Sequence, residues 1–330
     1  MHRLAFAIVF VLPLAACSKS PTDPSDPGSG ILRGQTVSAI DGAASPNLSL
    51  RIAERFSVTS DANGNFEVEV GPNGTYRAII RGNAVVERET RITGPGSAPA
   101  RVSLIPASFD LRAFDEMFRT SNARLERWTS RPALVVLAAI MDYRNAAESY
   151  EATGEQLSDE ELNVMVGHLT EGLALLTGGT YTTFASVEIE RPAAGTRVTP
   201  MRTGKIVVGR YNGIVSFART IGYGQWMAMQ DGSIAGGATF LDRDFDRNDN
   251  RRRLLRIHEL GHALGYQHVE SRTSIMNPSI GPEPNEFDRA GSIIAFQRPV
   301  GNRSPDIDPT TTSVAVGTGE GRWSPPTVCR

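Results

Sequence analysis

Four residues in one short stretch have the types and spacing that metal-assisted hydrolysis needs: His258, Glu259, His262 and His268. On a helix through Leu254 to Leu264, His258 and His262 stand at i and i+4. That puts them roughly 40° apart around the axis and about 6 Å along it. Two imidazoles so placed can reach one tetrahedral Zn²⁺ at ~2.0–2.1 Å. Glu259, one position round, can hold the water in an open zinc position and take its proton. His268 imposes a bend. Were the helix to continue, it would lie about 15 Å beyond His258, on the wrong face. Gly265 is the residue that can end the helix in a left-handed conformation and turn the chain back.

The pattern His258-Glu259-x-x-His262-x-x-Gly265-x-x-His268 resembles the zinc-binding motif of the metzincin peptidases. Ser274-Ile275-Met276-Asn277-Pro278, which begins after a short loop, resembles the Met-turn of that clan. Seven residues separate His268 from Met276, and the Ser-x-Met-x-Pro form is that of the matrixins. Pro278 stands where astacins and serralysins carry a tyrosine, so the resemblance implies three histidine ligands and no tyrosine ligand. It makes Met276 a hydrophobic floor under the zinc. One zinc per chain is implied, because no histidine lies between His168 and His258 to hold the second, structural zinc of matrixins. The pro-segment cysteine of matrixins is missing too. The implied fold is α+β, a zincin-like catalytic domain with a twisted mixed sheet and an active-site helix.

The remaining composition is that of ordinary globular material. With 330 residues, 40% hydrophobic and 21% charged, the chain has room for two domains. A net charge of −2 supplies no basic stripe for nucleic acid. The two cysteines, Cys17 and Cys329, cannot build a disulfide framework. His2-Arg3, an apolar stretch from Leu4 to Leu14, and Leu14-Ala15-Ala16-Cys17 make residues 1–17 a signal peptide. Its end resembles the bacterial lipobox, in which Cys17 is lipidated; a secretory leader with an incidental cysteine is the other reading. The lipobox implies an extracytoplasmic, membrane-anchored protein of the bacterial envelope, at the outer membrane or cell surface. Residues 18–30, rich in Ser, Pro, Asp and Gly, read as a flexible linker.

From 31 to 105 the pattern is short alternating strands: 36–40, 48–52, 66–70 and 76–80, with turns at Asp41-Gly42, Asn63-Gly64 and Asn73-Gly74. A small β-sandwich is expected. The run from Thr59 to Phe66 resembles the carboxypeptidase-regulatory-like module. Adhesion or substrate docking and a plain spacer are both open as its role.

The catalytic domain is expected over 106–300. Pro106 to Arg127 reads as a joining helix and loop, and Ala133 to Ile140 is too continuously apolar for periodicity to choose between strand and helix. Trp128 before it resembles the opening of the first matrixin strand, which favours a strand. Ser158-x-x-Glu161 is a capping box starting a helix that Gly178-Gly179 end. Gly236, Gly237 and Ala238 resemble the matrixin edge segment on which extended substrate pairs through its backbone; a bulge is the bland alternative. The acidic run Asp242 to Asp249 lacks the EF-hand glycine and glutamate. A solvated loop capping the active helix through Asp249 or Asn250 is favoured there over a Ca²⁺ site. Glu286 to Phe296 resembles the closing helix of the family, and 301–330 reads as a disordered tail carrying Cys329.

Together these features predict a monomeric, lipid-anchored zinc endopeptidase acting on peptides or proteins, with Glu259 as general base. The rival is a surface binding or adhesion lipoprotein whose zinc is structural or vestigial. A structural zinc would have no use for Glu259 and would prefer four protein ligands.

Overall fold

Alternating apolar and polar residues let a strand bury one face, and seven strands form between residues 30 and 104. A computed structural model describes residues 30–71, 73–96, 98–119, 123–144, 147–310 and 321–329. The leader, Cys17 and the linker up to residue 29 lie outside the described residues. The strands are β1 (Gly30–Ser38), β2 (Ser49–Ile52), β3 (Phe56–Thr59), β4 (Asn65–Val70), β5 (Gly74–Arg81), β6 (Arg88–Gly94) and β7 (Ala100–Leu104). One sheet has the order β4-β1-β7 and the other β3-β2-β5-β6. Leu32, Phe66 and Val102 of the first share a core with Leu50, Ile80 and Ile92 of the second.

The second half begins with α1 (Leu111–Phe118), β8 (Arg127–Trp128), β9 (Ala133–Leu137), β10 (Ala139–Asp142) and β11 (Tyr150–Gln156). The continuous apolar run is therefore two strands, broken at Ala138. Both pair in parallel with β14 (Lys205–Asn212), and Leu134 to Leu137 are buried on both faces, which is why they do not alternate. Before β14 come α2 (Asp159–Leu176), β12 (Val187–Glu190) and β13 (Arg197–Val198). After it come α3 (Ile214–Ala218), β15 (Gly222–Ala228), β16 (Ser233–Asp242), α4 (Arg243–Asn248), α5 (Arg252–Ala263) and α6 (Glu286–Gln297). Two short strands are the last described elements, β17 (Arg322–Trp323) and β18 (Thr327–Cys329). Ser158 and Glu161 make both hydrogen bonds of the expected capping box, and α2 buries Leu162, Met165, Leu169, Leu173 and Leu176. Those side chains, the apolar face of α5 and one face of the mixed sheet form a single core.

Three expectations need correction. Gly236, Gly237 and Ala238 are not at a sheet edge: β16 pairs in parallel with β14 on one side and antiparallel with β15 on the other. Their small size serves packing, since a Cβ on Gly237 would stand 2.8 Å from the Ala263 carbonyl oxygen in α5. Outside β16 lies β15, which pairs in turn with the two short last strands.

The acidic run from Asp242 is neither a solvated loop nor a free oxygen cluster. Asp242 caps α4, and Asp246 is fully buried between two buried arginines. Its carboxylate accepts from Arg256 Nε at 2.7 Å and Nη2 at 2.8 Å, and from Arg210 Nε at 2.6 Å. Arginine thus takes the place that a cation would have there.

The expected tail is ordered wherever it is described. Asn302 and Asp306 are fully buried, and β17 and β18 both pair with β15. Composition missed this because the partners are distant: an open sheet edge and a set of buried arginines. Arg298 at the end of α6 donates to Asp306 at 2.8 Å through Nε and through Nη2. Arg298 Nη1 also donates to Ser103 Oγ at 2.9 Å, and Arg88 Nη2 donates to Asp308 at 2.8 Å. The N-terminal sheets are therefore docked on α6 and the segment after it.

Removing the Asp246 carboxylate would leave Arg256 buried with no anionic partner, while Arg210 keeps Glu161. Asp246→Ala should lower stability by about 3–5 kcal/mol. Urea unfolding monitored by circular dichroism checks this; an unchanged midpoint would contradict the role given to Asp246.

Candidate active site

Helix α5 lies directly on the sheet because β15 presents glycine where the two meet. A Cβ on Gly224 would stand 2.5 Å from His262 Cβ, and one on Gly222 would stand 2.8 Å from Glu259 Oε1. Sequence reasoning passed over both; the available signal was glycine at alternate positions of one strand. The helix stops where expected. Leu264 caps it, and Gly265 follows with φ +99°. Gly265 N donates to the His262 carbonyl and Tyr266 N to the Gly261 carbonyl, each at 3.0 Å, the paired bonds of a left-handed helix end.

That turn brings the three histidines together. Their Nε2 atoms are 3.0 Å apart for His258 and His262, 3.2 Å for His262 and His268, and 3.3 Å for His258 and His268. A tetrahedral zinc with bonds of ~2.0–2.1 Å needs its nitrogens about 3.3–3.4 Å apart, so the triad fits one with little adjustment. His258 Nδ1 lies 2.7 Å from the Ile275 carbonyl and His262 Nδ1 2.8 Å from the Tyr266 carbonyl. A carbonyl only accepts, so each Nδ1 carries the proton and each Nε2 turns a lone pair inward. Lone pairs facing one another at this distance repel unless a cation lies between them. Burial also pushes the imidazoles down, His258 to about 3, His268 to about 4 and His262 well below its ordinary value, which keeps all three neutral near pH 7.

Glu259 is fully buried, and neither carboxylate oxygen accepts a hydrogen bond from a described residue. Burial pushes its carboxyl well above the usual range. Buried polar atoms normally have partners, so this carboxylate is shaped for something bound beside it.

Met276 sits beneath the active-site helix. Its Sδ lies 2.6 Å from where a Gly261 Cβ would be, so Gly261 is required for that approach. Met276 O accepts from Val269 N at 2.9 Å, which ties the Met-turn to the segment after His268. Pro278 is half-buried just beyond the turn. Asp288 in the first turn of α6 holds the whole segment: it accepts from Ser274 Oγ at 2.5 Å, Ile275 N at 3.1 Å and Asn285 N at 2.9 Å. Asp288 was not singled out from the sequence, although Asn285-x-x-Asp288 has the form of a capping box.

Residues 209–291 match the family model for the matrixins. The domain is matrixin-like. No curated protein sequence matches the chain. The matched span is about a quarter of the chain and includes all three histidines, Glu259, Gly265 and Met276. A matrixin-like domain implies a zinc metallopeptidase with a catalytic zinc. Among the described residues, the three histidines form one group placed to hold a metal ion. A second group overlaps it: a ring nitrogen of His258, a carboxylate oxygen of Glu259 and Cys329 Sγ lie within 4.8 Å of one another. Nothing in the composition around Cys329 signalled that position.

Because Asp288 holds Ser274 and Ile275, and the Ile275 carbonyl orients His258, Asp288→Ala should weaken zinc binding roughly 10–100-fold. Competition with a chromogenic chelator measures it. Unchanged affinity in a folded variant would remove Asp288 from the support of the site.

Proposed function

We propose that the chain is a zinc-dependent endopeptidase acting on extracytoplasmic proteins, with His258, His262 and His268 as metal ligands and Glu259 as general base. The observation that carries this is the Glu259 carboxylate, buried and without a hydrogen-bond partner among the described residues, next in sequence to one ligand on the helix that supplies two. Zinc bound there supplies Lewis-acid polarisation of the scissile carbonyl and lowers the pKa of water towards ~7. The chain's residues do the rest. Ile275 and Tyr266 carbonyls lock two imidazoles in the ligating tautomer. The three neutral imidazoles carry no charge of their own, so a cation held by them would be what offsets the burial that raises the Glu259 carboxyl. Glu259 then takes a proton from the attacking water on one carboxylate oxygen and passes it to the departing amine.

Glu259→Ala leaves every imidazole in place and should retain about one zinc while cleavage falls ~10²–10⁴-fold. His268→Ala strips a ligand and should lose both metal and activity. Elemental analysis beside a peptide-library assay reads both outcomes. A zinc-loaded wild-type chain and a zinc-loaded Cys329→Ser chain that both cleave nothing would exclude the peptidase.

A second reading, a surface-binding protein with a structural metal, is favoured by one observation. Cys329 Sγ lies within 4.8 Å of a His258 ring nitrogen, so a thiol stands beside the triad, and structural zinc prefers four protein ligands. It leaves the unpartnered carboxylate of Glu259 without a purpose.

The lipobox pattern at Leu14 to Cys17 supports anchoring through Cys17 in a bacterial envelope. Cys17→Ser should move the protein from the membrane fraction to the soluble one. Identical soluble fractionation of both forms would end the anchoring proposal.

A further inference from the structure

The general base of a working peptidase must meet substrate, yet Glu259, His258 and His262 have no exposed surface. Something covers them, and the last described residues of the chain are what lies alongside. Strand β18 runs antiparallel to β15 on its outer edge, pairing Cys329 with Gly222, Val328 with Tyr223 and Thr327 with Gly224. Strand β17 pairs with Met227 and Ala228 further along. Between them, Ser324 N donates to the Trp226 carbonyl at 2.7 Å and Gln225 Nε2 to the Ser324 carbonyl at 2.9 Å. The Cys329 carbonyl accepts from Ile221 N and from the Thr220 hydroxyl.

This register decides where the thiol goes. Gly222 is the β15 residue that abuts the Glu259 carboxylate, and Cys329 is its partner across the edge. Cys329 is fully buried, with Sγ, a His258 ring nitrogen and a Glu259 oxygen all within 4.8 Å. A thiolate is a good zinc ligand at ~2.3 Å, and a site with four protein ligands has no open position for water. The backbone groups of β15 that hold this strand are those an extended peptide would use. His268 alone of the triad keeps some exposure, on a cavity of about 740 Å³ walled by Trp226, Trp323 and Pro326.

We infer that residues 321–329 occupy the substrate edge of the active site and that Cys329 Sγ is the fourth ligand of the metal in the resting chain. Coordination releases the thiol proton to solvent, and withdrawal of the strand reverses it, leaving the fourth position to water. The enzyme is thus latent until β17 and β18 leave β15. The latency rests on the peptidase reading; the ligand assignment does not.

The test uses the full chain carrying Cys17→Ser, so that Cys329 is the only thiol, with Co²⁺ replacing zinc. A thiolate-to-cobalt charge-transfer band in the near ultraviolet is expected, and Cys329 should react with a thiol reagent only after chelation. Cys329→Ser and Cys329→Ala should keep one equivalent of cobalt, lose the band and cleave peptides several-fold faster with zinc. Cobalt held by the histidines without a thiolate band overturns the inference, and the wild-type spectrum decides this even if neither variant folds. Variants that fold but lose the metal make Cys329 a structural ligand and overturn latency. A band that disappears in variants that remain inactive keeps the ligand and instead overturns the peptidase reading.

Discussion

The site depends on one backbone turn. At Gly265 the chain leaves the helix with a positive φ, and a side chain there would collide with Ile234 as well as strain the backbone. The turn has three effects within three residues. It brings His268 back to the other two imidazoles, aims the Tyr266 carbonyl at His262 Nδ1, and sends the Tyr266 ring into the core, where its hydroxyl meets Leu176 and Ser292. The metal cradle and the junction of α2 with α6 are therefore set by the same few dihedral angles.

Around this turn, buried carboxylates do what apolar packing alone does not. Asp246 fixes α4 to α5 and β14, Asp288 fixes the Met-turn to α6, and Asp306 fixes α6 to the segment that follows. Each accepts several directional bonds, so each sets an angle as well as a distance. Apolar contacts would tolerate sliding between these elements, whereas a carboxylate shared between two donors does not.

The parts of this structure legible in the sequence are those whose causes are local. His258 and His262 follow from helical periodicity, Gly265 from the need for a bend, and the start of α2 from Ser158 and Glu161. The strands of the first sheets follow from alternation. What escaped had its cause far along the chain. Gly236 and Gly237 look like an edge motif until β15 is known to pair outside them. Asp246 looks solvated until Arg210 and Arg256 are seen to close on it. Residues beyond Pro299 have the composition of a disordered tail, and only the outer edge of β15 and the buried arginines give them partners. Cys329 shows the limit most plainly, since its place is set by a strand register that no local pattern encodes.

The docking of the N-terminal sheets also constrains the order in which the molecule can be completed. All seven of their strands have emerged once residue 104 is made, and they can pair among themselves. Among the described residues, however, Arg88 and Thr90 find carboxylate partners only at Asp306 and Asp308, 218 to 220 residues later. During synthesis the first-made unit therefore carries an uncompensated cation on the face it will later bury. Contacts of such sequence separation form late. Arrival of Asp306 and Asp308 thus couples the first part of the chain to the last, so that the N-terminal sheets reach full stability only after the zinc-site helix and the closing helix have been made.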